Sequence, residues 1–135
     1  MFVVDASVVL AWCFDDESSD GAEAAIDRLT VEGGIVPAHW PLEIANAIRV
    51  AERRQRVDDA GIRRLKSMVG SLPIDIAPVE LTTAFGLIDL ARRHDLSVYD
   101  AAYLDLADVR GVSLATVDRR LADACRAAGV PLIAA

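Results

Sequence analysis

Asp5, Glu43, Asp100 and Asp118 are carboxylates dispersed through a 135-residue chain. Carboxylates gathered around one divalent cation are what a protein needs to hold Mg²⁺ against a phosphodiester. The four stand in short signatures: Val3-Val4-Asp5-Ala6-Ser7, Leu42-Glu43-Ile44-Ala45-Asn46, Ser97-Val98-Tyr99-Asp100-Ala101-Ala102-Tyr103 and Ala115-Thr116-Val117-Asp118. Asp5 follows a buried apolar run, where an ionised carboxylate is costly unless paired or coordinated. Acids forced together repel, raise one another's pKa and await a cation. Mg²⁺ takes hard oxygen ligands, needs few carboxylates and keeps several waters, which suits Asp and Glu without accompanying His. Its bound water is a nucleophile near neutral pH, and a second ion steadies the leaving oxygen. Phosphodiester hydrolysis is the chemistry this set would do. Each acid also has an ordinary structural use: Asp118 as a helix N-cap, Asp100 and Glu43 as first-turn acids that favour the helix dipole.

The elements that must position these acids alternate. Met1–Asp5 is a short run of apolar and β-branched residues, as in a buried strand of a parallel sheet. Ile35–Ala38, Ile74–Val79, Ser113–Val117 and Pro131–Ile133 are further strands. Helical spacing occupies the intervals: Ala22–Leu29, a helix opened by Pro41 and running to Arg56, one capped by Asp58 or Asp59 through Val69, Leu81–His94, Val98–Val109, and Arg119–Ala128 stopped by Gly129. This alternation predicts an α/β fold, a mainly parallel sheet of about five strands covered by helices on both faces. In such a sheet ligands bind beyond the carboxyl ends of the strands, where chain direction switches. Asp5 and Asp118 close the first and fourth strands, and Glu43 and Asp100 lie in first helical turns, so all four can reach that edge.

The length suits one domain over residues 1–135, and a hydrophobic fraction of 53% excludes a disordered polymer. Asp5 breaks the apolar N-terminus, which has no basic leader. Neither a signal-peptide core of roughly 7 apolar residues nor a span of roughly 18 is present, and a cytoplasmic protein is expected. Cys13 and Cys125 sit among apolar residues, as small buried thiols do. A net charge of −7 argues against bulk electrostatic capture of nucleic acid, so any contact must be local. The arginines at positions 49–56, 63–64, 92–93 and 119–120 are candidates, although solvated helix faces paired with nearby acids explain each of them more simply. His39, before Trp40 and Pro41, suits packing or a local hydrogen bond; His94 suits a helix C-terminus. Trp12, Trp40, Tyr99 and Tyr103 suit core or interface positions.

Taken together, the motifs resemble those of the PIN domain: Asp5 with Ser7, the Glu43–Asn46 helix start, Tyr99-Asp100-Ala101 with Leu104 and Ala107 behind it, and the Thr116–Asp118 strand end. The likeness covers nearly the whole chain, and its size looks like that of the VapC toxins of bacterial toxin–antitoxin pairs. The resemblance implies an endoribonuclease dependent on Mg²⁺ or Mn²⁺, usually a homodimer, acting on RNA and silenced by a cognate antitoxin. By position, Asp5, Glu43, Asp100 and Asp118 match the family's metal-binding acids. Ser7, Asn46 and Thr116 match polar residues that orient them. Arg120 departs from the pattern, standing where some relatives carry another acid.

Three rivals share some of these features. A phosphotransfer receiver needs a lysine at a late strand end, whereas Lys66 lies inside a predicted helix. A haloacid-dehalogenase-like phosphatase needs a second acid two residues after the first, where this chain has Ser7. A non-catalytic PIN-like binding module would use the same acids only for folding or docking. The apolar stripes of Ala45–Arg56 and Ile62–Val69, beside their arginines, suit an amphipathic partner segment as well as core packing.

Overall fold

Phe2, Val3 and Val4 are each at most 1% exposed, so the first strand is buried on both faces as its unbroken apolar run requires. The computed structural model describes residues 1–14 and 19–133. Its elements are β1 (Phe2–Val4), α1 (Ala6–Cys13), α2 (Asp20–Glu32), β2 (Gly34–Pro37), α3 (Trp40–Arg53), α4 (Asp59–Gly70), β3 (Ile74–Ala77), α5 (Leu81–His94), α6 (Val98–Arg110), β4 (Leu114–Ala115), α7 (Arg119–Ala128) and β5 (Leu132–Ile133). The strands form one parallel sheet in the order β3-β2-β1-β4-β5. The expected α/β architecture is therefore present.

From β1 the chain steps outward through β2 to β3, then returns past β1 to β4 and β5. Right-handed crossovers consequently put α1–α4 on one face and α5–α7 on the other. The packing agrees: α1 lies against α2, α3 and α4, whereas α6 lies against α5 and α7 and crosses β1, β2 and β4. The chain leaves neighbouring strands β1 and β4 toward opposite faces, which makes the crevice beyond their carboxyl ends the switch point of the sheet. Val4 pairs with Ala115, and the Asp5 N–H donates to the Ala115 carbonyl at 2.9 Å. Asp5 and Thr116, the first residues past these two strands, are thereby brought side by side.

Local signals set most helix ends. Ser19, Asp58, Ser97 and Asp118 each accept backbone N–H groups at their helix N-termini. Gly129 ends α7 at φ +77°, the left-handed conformation that glycine adopts without strain. The helix α1 is an addition to the sequence expectation. Its Val8, Val9, Ala11 and Cys13 are all buried, so the segment shows no amphipathic period and reads equally as strand. Cys13 and Cys125 are free, buried thiols, as expected, and burial pushes both up to about 11. No helix among the described residues is long and apolar enough to cross a membrane.

Candidate active site

Asp5 occupies the N-cap position of α1, yet its side chain caps nothing. Its carboxylate is 5% exposed and turns instead toward the end of β4. There Oδ2 accepts hydrogen bonds from Ser7 Oγ at 2.6 Å and from Thr116 Oγ1 at 2.7 Å. A hydroxyl has one proton to give, so both are spent on the same carboxylate oxygen and the 3.3 Å approach of the two hydroxyls shares none. Their lone pairs receive backbone donors: the Val117 N–H bonds Ser7 Oγ at 3.2 Å, and the Asp118 N–H bonds Thr116 Oγ1 at 2.9 Å. The network pins the Asp5 carboxylate to both strands of the switch point. No described residue donates to Oδ1.

Asp118 does cap α7, its Oδ1 accepting the Arg120 and Leu121 N–H groups at 2.8 and 3.1 Å. Capping engages one oxygen only, so the structural role of this acid leaves its other oxygen without a protein donor among the described residues. Asp100 and Glu43 stand in the first turns of α6 and α3, as expected. Glu43 Oε1 accepts a 2.8 Å hydrogen bond from the hydroxyl of Tyr103, a residue of α6 that is fully buried. His39 Nε2 lies 2.9 Å from the same oxygen without forming a hydrogen bond to it. The His39 ring is instead held between Tyr99, centroids 5.1 Å apart, and Tyr103, at 5.3 Å and edge-on.

These acids act on one another. Burial pushes the Asp5 carboxyl up to about 6; the Ser7 and Thr116 hydroxyls oppose the rise, and the charges of Glu43 and Asp100 add to it. Asp100 is raised first by burial, then by Asp118 and Glu43, against the help of Ser97 and His39. Burial, followed by the Asp5 and Glu43 charges, also holds the Tyr103 phenol far above its ordinary value, so it stays a donor. Asp5, Glu43, Asp100 and Asp118 thus form one chain of mutually repelling groups, with Asp100 linked to the other three.

A divalent ion with hard-ligand chemistry fits this donor set. It consists of carboxylate oxygen atoms, and burial disfavours the ionisation of two of the groups, Asp5 and Asp100, which a cation would relieve. No three His, Cys, Asp or Glu side chains among the described residues close on a common point. An ion held here would take part of its coordination from water.

Of the remaining expected residues, Ser7 and Thr116 hold Asp5 directly. Asn46 is exposed one turn along α3 from Glu43 and makes no hydrogen bond among the described residues. Arg120 is exposed beside Asp118, and Lys66 is exposed on α4, away from any strand end. From the sequence Tyr103 reads as a core or interface residue. Its hidden signal is its place three residues beyond Asp100, on the same side of α6. Beside the site opens a largely apolar cavity of about 430 Å³, lined by His39, Val79, Leu87, Tyr99, Ala102 and Leu106 among others.

Comparison with known proteins gives concordant results. The family profile described as "PIN domain" matches residues 2–127. The chain is 34% identical to "Ribonuclease VapC3" of Pyrobaculum aerophilum over 90% of this chain and 92% of that protein. It is 35% identical to "Ribonuclease VapC9" of Mycobacterium tuberculosis over 91% and 90%. Among solved structures, the crystal structure of PAE2754 from Pyrobaculum aerophilum superposes with a TM-score of 0.71 at 26% identity, covering 98% of this chain and 88% of the other.

Proposed function

This chain belongs to the PIN-domain family, and from that premise we propose that it is an endoribonuclease dependent on Mg²⁺ or Mn²⁺ and the toxin of a toxin–antitoxin pair. The observation that carries the reading is Asp5. A carboxylate fixed by two hydroxyls at the switch point, and raised by burial and then by its acidic neighbours, has no cationic partner among the described residues to offset that burial. Relatives of similar length that bear the name ribonuclease support the same activity.

Asp5, Glu43, Asp100 and Asp118 would hold the divalent ion. When bound, that ion supplies a water nucleophile near neutral pH and offsets charge on the departing oxygen. The chain's own residues do the rest. Ser7 and Thr116 occupy Asp5 Oδ2 and leave Oδ1 for the ion, and Tyr103 occupies Glu43 Oε1. Asp118 binds the start of α7 through Oδ1 and keeps its second oxygen. Exposed Arg119 and Arg120 supply local positive charge for an RNA phosphate, which a chain of net charge −7 must do locally.

A cognate antitoxin silences the enzyme, and two copies form a homodimer in the cytoplasm. The homodimer is supported by exposed apolar side chains of α5 and α6, with Leu81, Phe85 and Val109 each more than 60% exposed. Incubation of the purified protein with structured and unstructured RNAs, in Mg²⁺, Mn²⁺ or a chelator, tests the activity. Fragments of defined ends are expected with either ion and none with chelator. Intact RNA under every condition would overturn the proposal.

A further inference from the structure

Tyr103 is one of the largest fully buried side chains, and its only polar atom ends 2.8 Å from a carboxylate oxygen borne by another element, 60 positions away in the chain. A buried phenol needs an acceptor. The acceptor here is Glu43, a half-exposed side chain that would otherwise sample several rotamers at the rim of the site. One bond to a rigid ring on α6 removes that freedom. His39, wedged between Tyr99 and Tyr103, closes the other side of the same oxygen. Glu43 Oε1 is thereby committed to protein, and Oε2 is the oxygen with no donor among the described residues.

We propose that Tyr103 is a positioning residue for divalent-ion binding: its buried hydroxyl locks Glu43 through Oε1 so that Oε2 is presented to the ion. This rests on the metal-dependent reading above and extends it to a residue of the helix core. Because Tyr103 and Asp100 lie three positions apart on α6, one helix sets two of the acids, Asp100 by bearing it and Glu43 by holding it. Both acids then move with α6, which itself crosses β1 and β4.

The test is Tyr103→Phe, which removes one oxygen and keeps the ring, with Mn²⁺ binding followed by calorimetry at pH 7.5 and the melting temperature measured in chelator. The expected result is a folded protein whose Mn²⁺ affinity falls about tenfold, as loss of a ligand-orienting hydrogen bond does. Glu43→Gln and the double variant provide the second arm. If Tyr103 acts through Glu43, adding Tyr103→Phe to Glu43→Gln should change Mn²⁺ affinity less than twofold. A Tyr103→Phe protein with a lowered melting temperature but wild-type Mn²⁺ affinity would overturn this inference and leave the proposed activity standing. So would full additivity of the two substitutions. A wild-type protein that binds no Mn²⁺ would overturn both.

Discussion

Thr116 Oγ1 gives its proton to Asp5 Oδ2 over 2.7 Å while receiving the Asp118 N–H at 2.9 Å. One hydroxyl thus ties the buried acid after β1 to the acid that opens α7. Thr116→Val keeps the shape and removes both interactions. The folded state should lose about 1–3 kcal/mol at pH 7, the cost of leaving a buried acceptor short of a donor. Thr116→Ser should restore most of it. Urea denaturation of the three proteins in chelator checks this; a Val variant as stable as wild type would remove Thr116 from the account.

Asp5 has a folded pKa of about 6 against an ordinary 3.8. The folded protein therefore binds this proton more tightly than the unfolded chain. The resulting stability is complete below about pH 4 and is lost as pH rises through about 6. The rise at Asp100 has the same sign. Asp5→Asn never ionises, so in chelator it should match wild type near pH 4 and exceed it by roughly 1–3 kcal/mol at pH 7.5. Thermal melts at the two pH values read the difference.

Metal binding should run the other way. An ion must displace the proton from Asp5, so Mn²⁺ affinity should rise about tenfold per pH unit below about 6 and level off above it. Calorimetric titrations from pH 5 to 8 give the profile. A flat profile would mean that Asp5 is not a ligand.

The fold makes a prediction remote from the site. A Cβ on Gly34, the first residue of β2, would meet Leu29 Cδ1 at 2.6 Å and Val4 Cγ1 at 3.4 Å. Leu29 is fully buried, so its side chain must shift within the core to admit the methyl group. Gly34→Ala should cost about 1–3 kcal/mol through overpacking between α2 and the sheet, measurable as a lower melting temperature with unchanged secondary structure.

Much of the strand–helix alternation was legible because its signals are local: β-branched runs ending at Asp5, caps at Asp58 and Asp118, the stop at Gly129. Asp5 itself stood out because an acid after a fully apolar strand is costly. The helix α1 was not legible, since burial on all sides erases the periodicity that marks a helix. Nor was the partnership of Tyr103 with Glu43, or of Thr116 with Asp5. Those bonds join residues 60 and 111 positions apart, and only the strand order brings them together. Asn46, one turn after Glu43, is exposed and makes no hydrogen bond among the described residues.

The central claim is that the Asp5 carboxylate holds the ion that cleaves RNA, and the direct measurement compares wild type and Asp5→Asn on one RNA in Mn²⁺, with circular dichroism recording the fold of each. Two folded proteins are expected, of which the variant cleaves at least about 100-fold more slowly. Cleavage by folded Asp5→Asn at the wild-type rate would contradict it.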